Sequence, residues 1–313
     1  MLAFKAVVTA DLGQVRFRAV LSCFFGKLFV YILACGASWL VFRKESHSSA
    51  LISMAIFSFH VTAANDFVFG MPIMQAFYPE TGMTNLVANV VVQNVFFQVC
   101  SLSLLGVGTA SAQNAEDAMH DAIANSPSGS PTAKQPQCVR ILKQLAQDPL
   151  LCAIVAAVLY SALAQIFAPQ LKGTERLPWI AAELLEFFTR PFSVTALLLT
   201  GANLATALET KSEHQTEGSM YFVSIPIFLV VAKNFLCPYV SLAAAEMLLP
   251  GPDNSAWHSF AFLYGLIPTS SAPMLVAMRV GKHIEVVAAA VSIGILVAFP
   301  MLIASAVLLG KRS

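Results

Sequence analysis

The stretch Phe59-His-Val-Thr-Ala-Ala-Asn65-Asp66-Phe-Val-Phe-Gly70-Met-Pro72 decides how this chain is read. It places an amide, a carboxylate, a glycine and a proline in the middle of an apolar run, about residues 51–78. Crossing a bilayer takes roughly 20 apolar residues, so the run is long enough to span one. Each of those four residues is unfavourable in hydrocarbon. They occur together where a transmembrane helix is interrupted and its freed backbone lines a polar cavity. The stretch therefore predicts a binding site inside a membrane protein.

Composition points the same way. The chain has 313 residues, 57% hydrophobic and 11% charged, and its mean hydropathy is +0.72. A soluble domain carries about 25% charged residues, so the composition predicts a polytopic helical membrane protein. The net charge of +1 and the absence of a basic cluster interleaved with aromatics exclude a nucleic-acid binder. The cysteines are Cys23, Cys35, Cys100, Cys138, Cys152 and Cys237. They form no C-x-x-C pair and no metal-ligand spacing. Five lie in apolar segments, where cysteine behaves as a small hydrophobe. Residues 1–18 carry Lys5, Asp11, Arg16 and Arg18 and lack the apolar core of a cleavable signal peptide. No phosphate-binding loop, nucleophile elbow, zinc spacing or carboxylate dyad is present, so catalysis is not expected.

Eight spans are predicted, lettered a to h: about 19–42, 50–78, 86–108, 149–168, 178–208, 219–249, 257–278 and 284–309. Span b is broken near Asn65 and span g around Pro268. The polar stretch 111–137 has too few apolar residues to pack and reads as a flexible loop. Residues 139–147 read as a short amphipathic lead-in, and 209–218 as a second polar loop. The chain thus divides into an N-terminal partial repeat, 1–110, a flexible cytosolic loop, 111–138, and a C-terminal five-helix repeat, 139–313. Loop charge favours a cytoplasmic 111–137 loop only slightly.

An internal repeat underlies that division. Span a carries Gly26-Lys27-Leu-Phe-Val30 and span f carries Ala232-Lys233-Asn-Phe-Leu236, each with one lysine in an apolar helix. The next span in each set is the broken one. Span b has Phe69-Gly70-Met71-Pro72 and span g has Tyr264-Gly265-Leu266-Ile267-Pro268. A plain apolar helix, c or h, closes each set. Five helices per repeat force the two copies into opposite orientation, and interrupted helices at matching positions of inverted repeats mark the substrate site of a secondary transporter.

On these residues the chain resembles the auxin efflux carrier (PIN-type membrane transport) family. Within it, the chain is most similar to the branch that fuses this transporter domain to a seven-helix receptor. The likeness rests on Asn65-Asp66-Phe67-Val68-Phe69-Gly70-Met71-Pro72, on Ala261-Phe-Leu-Tyr-Gly-Leu-Ile-Pro268, and on the span through Ala298-Phe-Pro300. The placement of Lys27 and Lys233 agrees with it. The resemblance implies an all-α transmembrane fold of ten helices in two inverted bundles crossing at the broken helices. It implies a cytosolic loop after span c. Measured against it, the first two helices are expected to be missing, because Met1 falls near the end of the second, and no receptor portion is expected after Ser313. Receptor-fused relatives carry a second proline three residues after Pro268. Here Ser271 stands at that position and the proline is Pro273.

The candidate substrate-binding residues are Asn65, Asp66, Gly70, Pro72, Pro268, Thr269, Ser270, Ser271, Pro273, Lys27 and Lys233. Asp66 and Asn65 read as contacts to substrate or coupling ion, or as groups that satisfy broken backbone. Gly70 and Pro72 read as the break itself. The hydroxyls of 269–271 either meet substrate or cap the half-helices. The lysines pair with a carboxylate or an anionic substrate, or snorkel to the interface. Glu186 and Arg190 form an i,i+4 pair with Glu183 on the same face. His60 reads as a packing histidine rather than a proton relay.

The expected function is a secondary transporter of a small organic, anionic solute working by alternating access. A non-transporting lipid or sterol sensor on the same fold, or an N-terminally incomplete carrier, are the alternatives. Expected partners are that solute, a coupling ion or proton, and membrane lipid, with a homodimer left open. No cofactor and no metal is expected. The membrane, plasma or endolysosomal or endoplasmic reticulum, stays open.

Overall fold

The computed structural model describes residues 2–79, 81–124, 146, 148–167, 170–171, 175, 177–189, 194–195, 198, 201–202, 205 and 221–310. The named elements are helical throughout. They are α1 (Leu2–Thr9), α2 (Phe17–Phe42), α3 (His47–Thr62), α4 (Met71–Phe77), α5 (Gly82–Val92) and α6 (Val99–Ala124). Then follow α7 (Pro149–Phe167), α8 (Trp179–Thr189), α9 (Tyr221–Val230), α10 (Cys237–Leu248), α11 (Ser255–Leu266), α12 (Ala272–Val280) and α13 (Ile284–Gly310). Wide π turns join α3 to α4 at Asp66–Gly70, α5 to α6 at Gln93–Gln98, and α9 to α10 at Val231–Leu236.

Five helices among the described residues are long and apolar enough to cross a membrane: Phe17–Phe42, Gly82–Gln113, Pro149–Phe167, Val223–Leu248 and Ile284–Ser305. At most 44% of their most apolar windows is buried inside the protein. So much apolar surface left outward needs hydrocarbon rather than water around it. The difference from the expected eight has a physical reason. Spans b and g are interrupted, so neither reaches spanning length in one piece. Span e is described only as α8 and a few residues beyond it.

Other boundaries also move. Helix α6 runs on through Ala124 into the stretch read as a loop from 111. That segment is rich in alanine, the best intrinsic helix former. Residues 125–145, most of the lead-in at 139–147, the loop 209–218, Cys138 and Arg190 lie outside the described residues. The break in span b falls at Ala63–Asn65, upstream of Gly70 and Pro72. Proline is tolerated in the first turn of a helix, where its missing N–H has no partner to lose. Pro72 therefore starts α4 rather than making the gap.

Chain direction follows from end-to-end contacts. At one end Arg18 reaches the Leu248 carbonyl, the Arg16 guanidinium covers the Trp257 ring, and Tyr78 meets Phe260. At the other end Phe42 and Phe57 meet His283. Hence α2 runs opposite to α9–α10, the pair α3–α4 runs opposite to α11–α12, and α5–α6 opposite to α13. Each span of the first set is antiparallel to its counterpart in the second. A core of Val30, Ala34, Phe42, Ile56, Phe57, Leu229, Met274 and Val287 fills the end near His283. A second, with Met74, Leu86, Phe260, Leu263, Tyr264 and Leu266, fills the end near Trp257. The crossing lies between them.

Candidate functional site at the helix crossing

The two breaks pair with each other. The Asn65 backbone N–H donates to the Pro268 carbonyl at 2.8 Å, and the Ser270 N–H donates to the Ala63 carbonyl at 3.0 Å. Ala64 and Thr269 thus form an antiparallel β-bridge inside an all-helical surround. This solves the problem that an interrupted helix creates in hydrocarbon. Orphaned backbone groups there need partners, and each break supplies them to the other.

Several expected ligand residues are occupied by that task. The Asn65 side-chain oxygen accepts from the Val68 N–H at 3.4 Å, and its carbonyl accepts from Phe69 and Gly70. Thr269 Oγ1 donates to the His60 carbonyl at 3.1 Å. The Ser271 carbonyl starts α12, with Pro273 in the first turn. Gly70 closes the π turn and packs against Ile267. In this state Asn65, Gly70, Pro72, Pro268, Thr269, Ser270 and Pro273 build the crossing.

The charged candidates converge beside it. Lys27 is 2% exposed, Lys233 1% and Asp66 3%. Neither lysine reaches the surface, so the snorkelling alternative does not hold. Lys27 Nζ donates to Gln93 Oε1 and, at 2.8 Å, to the Tyr264 hydroxyl. Lys233 Nζ lies 3.4 Å from the Gly265 carbonyl. Asp66 feels the charge of both lysines and lies within reach of Tyr264, and its Oδ1 has no protein partner among the described residues. His60 is 1% exposed and feels Lys233, with Nδ1 unpartnered among the described residues. Glu186 lies far off, paired with Lys5 at 2.7 Å, beside a hollow of about 460 Å³ that Glu175 and Glu183 also line.

Two residues at the centre are absent from the sequence-derived set. Gln93 joins three things: Oε1 accepts from Lys27 and from the Ala64 N–H at 3.1 Å, while Nε2 lies 3.4 Å from the Ala64 carbonyl. Tyr264 accepts from Lys27 and stacks parallel to Phe260. A signal for Gln93 does exist. Asn85, Asn89, Gln93, Asn94 and Gln98 are all buried, and the four-residue steps 85–89–93 and 94–98 put an amide stripe along span c and the residue before it.

No family model matches the chain. It is 22% identical over 311 residues to the lysosomal cholesterol signaling protein of Mus musculus. The match takes in 98% of this chain and 32% of that protein. The chain therefore spans about a third of the length of the curated relative it matches. It is a membrane protein with a distant lysosomal homologue.

Proposed function

We propose that this protein is an integral membrane carrier of the auxin efflux type, moving a small organic anion by alternating access around the crossing. The observation that carries the reading is the sealed cluster of Lys27, Asp66 and Lys233 beside two paired helix breaks. Ionised, one carboxylate and two ammonium groups sum to +1. Lys27 is held by the neutral acceptors Gln93 and Tyr264, which leave its charge uncancelled. The start of α12 adds the positive end of a helix dipole. A buried positive site of this kind favours an anionic group from the substrate. Asp66 then serves as the partner for a proton or coupling cation. The Lys27, Lys233, Ser270, Ser271 and Asp66 side chains are the ones positioned to meet ligand when the crossing opens. A lysosomal or related endomembrane is the proposed location, from the relative's printed name.

A second reading has one observation in its favour. The mouse relative is named for cholesterol signaling, so the same crossing could respond to a sterol without moving solute. Reconstitution in proteoliposomes separates the two. Uptake of small organic anions above protein-free vesicles, lost in Lys27→Met, is expected of a carrier. Saturable crosslinking of a photoreactive sterol with no flux of any anion tested would replace the carrier reading with the sensor.

A further inference from the structure

The turn between α12 and α13 holds a backbone conformation that its sequence does not favour. Gly281 has φ 71° and ends α12 with the Lys282 N–H on the Ala277 carbonyl, a helix stop for which glycine is suited. His283 follows at φ 59°, alone among described non-glycine residues in having positive φ. A histidine there is strained relative to glycine and persists where its surroundings fix it. The surroundings are specific. The ring lies 5.0 Å from the Phe42 ring and 4.9 Å from the Phe57 ring. Its Nε2 is 2.8 Å from Ser53 Oγ.

The donor in that last contact can be assigned. The Ser53 hydroxyl proton goes to the Ser49 carbonyl at 2.8 Å. The tautomer that fits carries its hydrogen on Nε2 and donates to the serine oxygen, so an added proton goes to Nδ1, and burial of the charged ring beside Lys282, rather than loss of this bond, is what favours release. Ser53 stands on α3, the leading half of one interrupted span, and His283 fastens the end of α12, the trailing half of the other. One hydrogen bond between residues 230 apart in sequence thus joins the outer halves of both broken helices.

We propose that His283 is a proton-operated latch, holding the α12–α13 turn against α2 and α3 when neutral and releasing it when protonated. Lys282, whose Nζ reaches Ser49 Oγ at 3.5 Å, repels a charged ring, and Glu45, which accepts from Ser49 at 2.7 Å, attracts one. Further charged or titratable groups near this turn are Arg43, Lys44 and His47 where α2 passes to α3, and Arg279 and Glu285 on either side of it. Burial and Lys282 together pull the ring down to about 4. A released ring titrates near its ordinary value, about 6.5. The latch is therefore fully favoured above pH 6.5 and loses that preference as pH falls toward 4. Between pH 7.5 and pH 5 the ratio of released to fastened turn rises on the order of 30-fold. Nothing in this step needs the carrier reading, so it stands or falls without any substrate.

Hydrogen exchange of amides 280–287, measured on the full chain in nanodiscs and corrected for intrinsic pH dependence, tests it. Opening of the turn should rise by that order between pH 7.5 and 5. In His283→Gln, whose amide can donate to Ser53 but does not titrate, the rise should vanish while protection at pH 7.5 remains. Ser53→Ala should already be several-fold less protected at pH 7.5. A wild-type rise below about threefold, or a Gln variant with the wild-type rise, overturns the latch. Should the Gln variant not fold, the ring's own NMR titration in the wild-type protein decides: a value near 4 supports the latch and one near 6.5 removes it.

Discussion

Gln93 shows how much a single neutral side chain can hold in a buried polar site. It offers one oxygen to an ammonium group and to a backbone N–H, and its nitrogen faces the carbonyl of the same residue. Replacing it by leucine leaves Lys27 with the Tyr264 hydroxyl alone and strips both backbone groups of Ala64 of their Gln93 partner. Taking one acceptor from a buried charge and leaving a peptide group unpaired costs about 2–4 kcal/mol, so Gln93→Leu should lower the thermal midpoint in detergent clearly. Tyr264→Phe removes only one acceptor from Lys27 and keeps the Phe260 stack. Its loss should be about 1–2 kcal/mol. Equal losses in the two variants would mean that the network is not organised around Gln93. Asp66→Asn is expected to fold, since no hydrogen bond to Oδ1 is lost. It should alter which charge of ligand is bound. A ligand panel bound identically by variant and parent would show Asp66 to be structural.

Among elements, the interrupted helices were readable and their supports were not. Asn65 and Pro268 announce the breaks because hydrocarbon penalises them wherever they stand. The site of the gap at Ala63–Asn65 was hidden, because Pro72 fits the first turn of α4 as well as it would fit a break. The amide stripe of span c was missed because each Asn or Gln alone reads as an interfacial residue, and only the fold turns that face inward. Tyr264 lay in the quoted stretch, yet an aromatic beside a helix break does not announce a hydroxyl aimed at a lysine. Helix contact distance gives a test at this scale. A Cβ on Gly265 would sit 2.5 Å from the Pro238 Cα, whereas one on Gly36 would meet nothing within 4 Å. Gly265→Ala must push α11 from α10, at about 1–3 kcal/mol. Gly36→Ala in exposed α2 should be neutral or stabilising by up to about 1 kcal/mol. Similar thermal shifts from the two alanines would contradict the packing described between α10 and α11.

Across the whole molecule, the outward apolar belt predicts that the protein stays with the membrane pellet after alkaline carbonate washing. Release to the supernatant would refute spanning. The antiparallel bridge at Ala64 and Thr269 carries a mechanical corollary. The halves are stitched at the point where they cross, so that point is a fulcrum. From it α12 extends nine residues, an arm of about 14 Å at 1.5 Å per residue. A tilt of about 10° would carry the arm's tip by roughly 2–3 Å while the fulcrum scarcely shifts. Paired spin labels near Tyr78 and Gly281 should therefore report broad distance distributions, and labels beside Thr269 narrow ones. Displacement grows along the limb, so small adjustments among the buried charges arrive at the surface magnified.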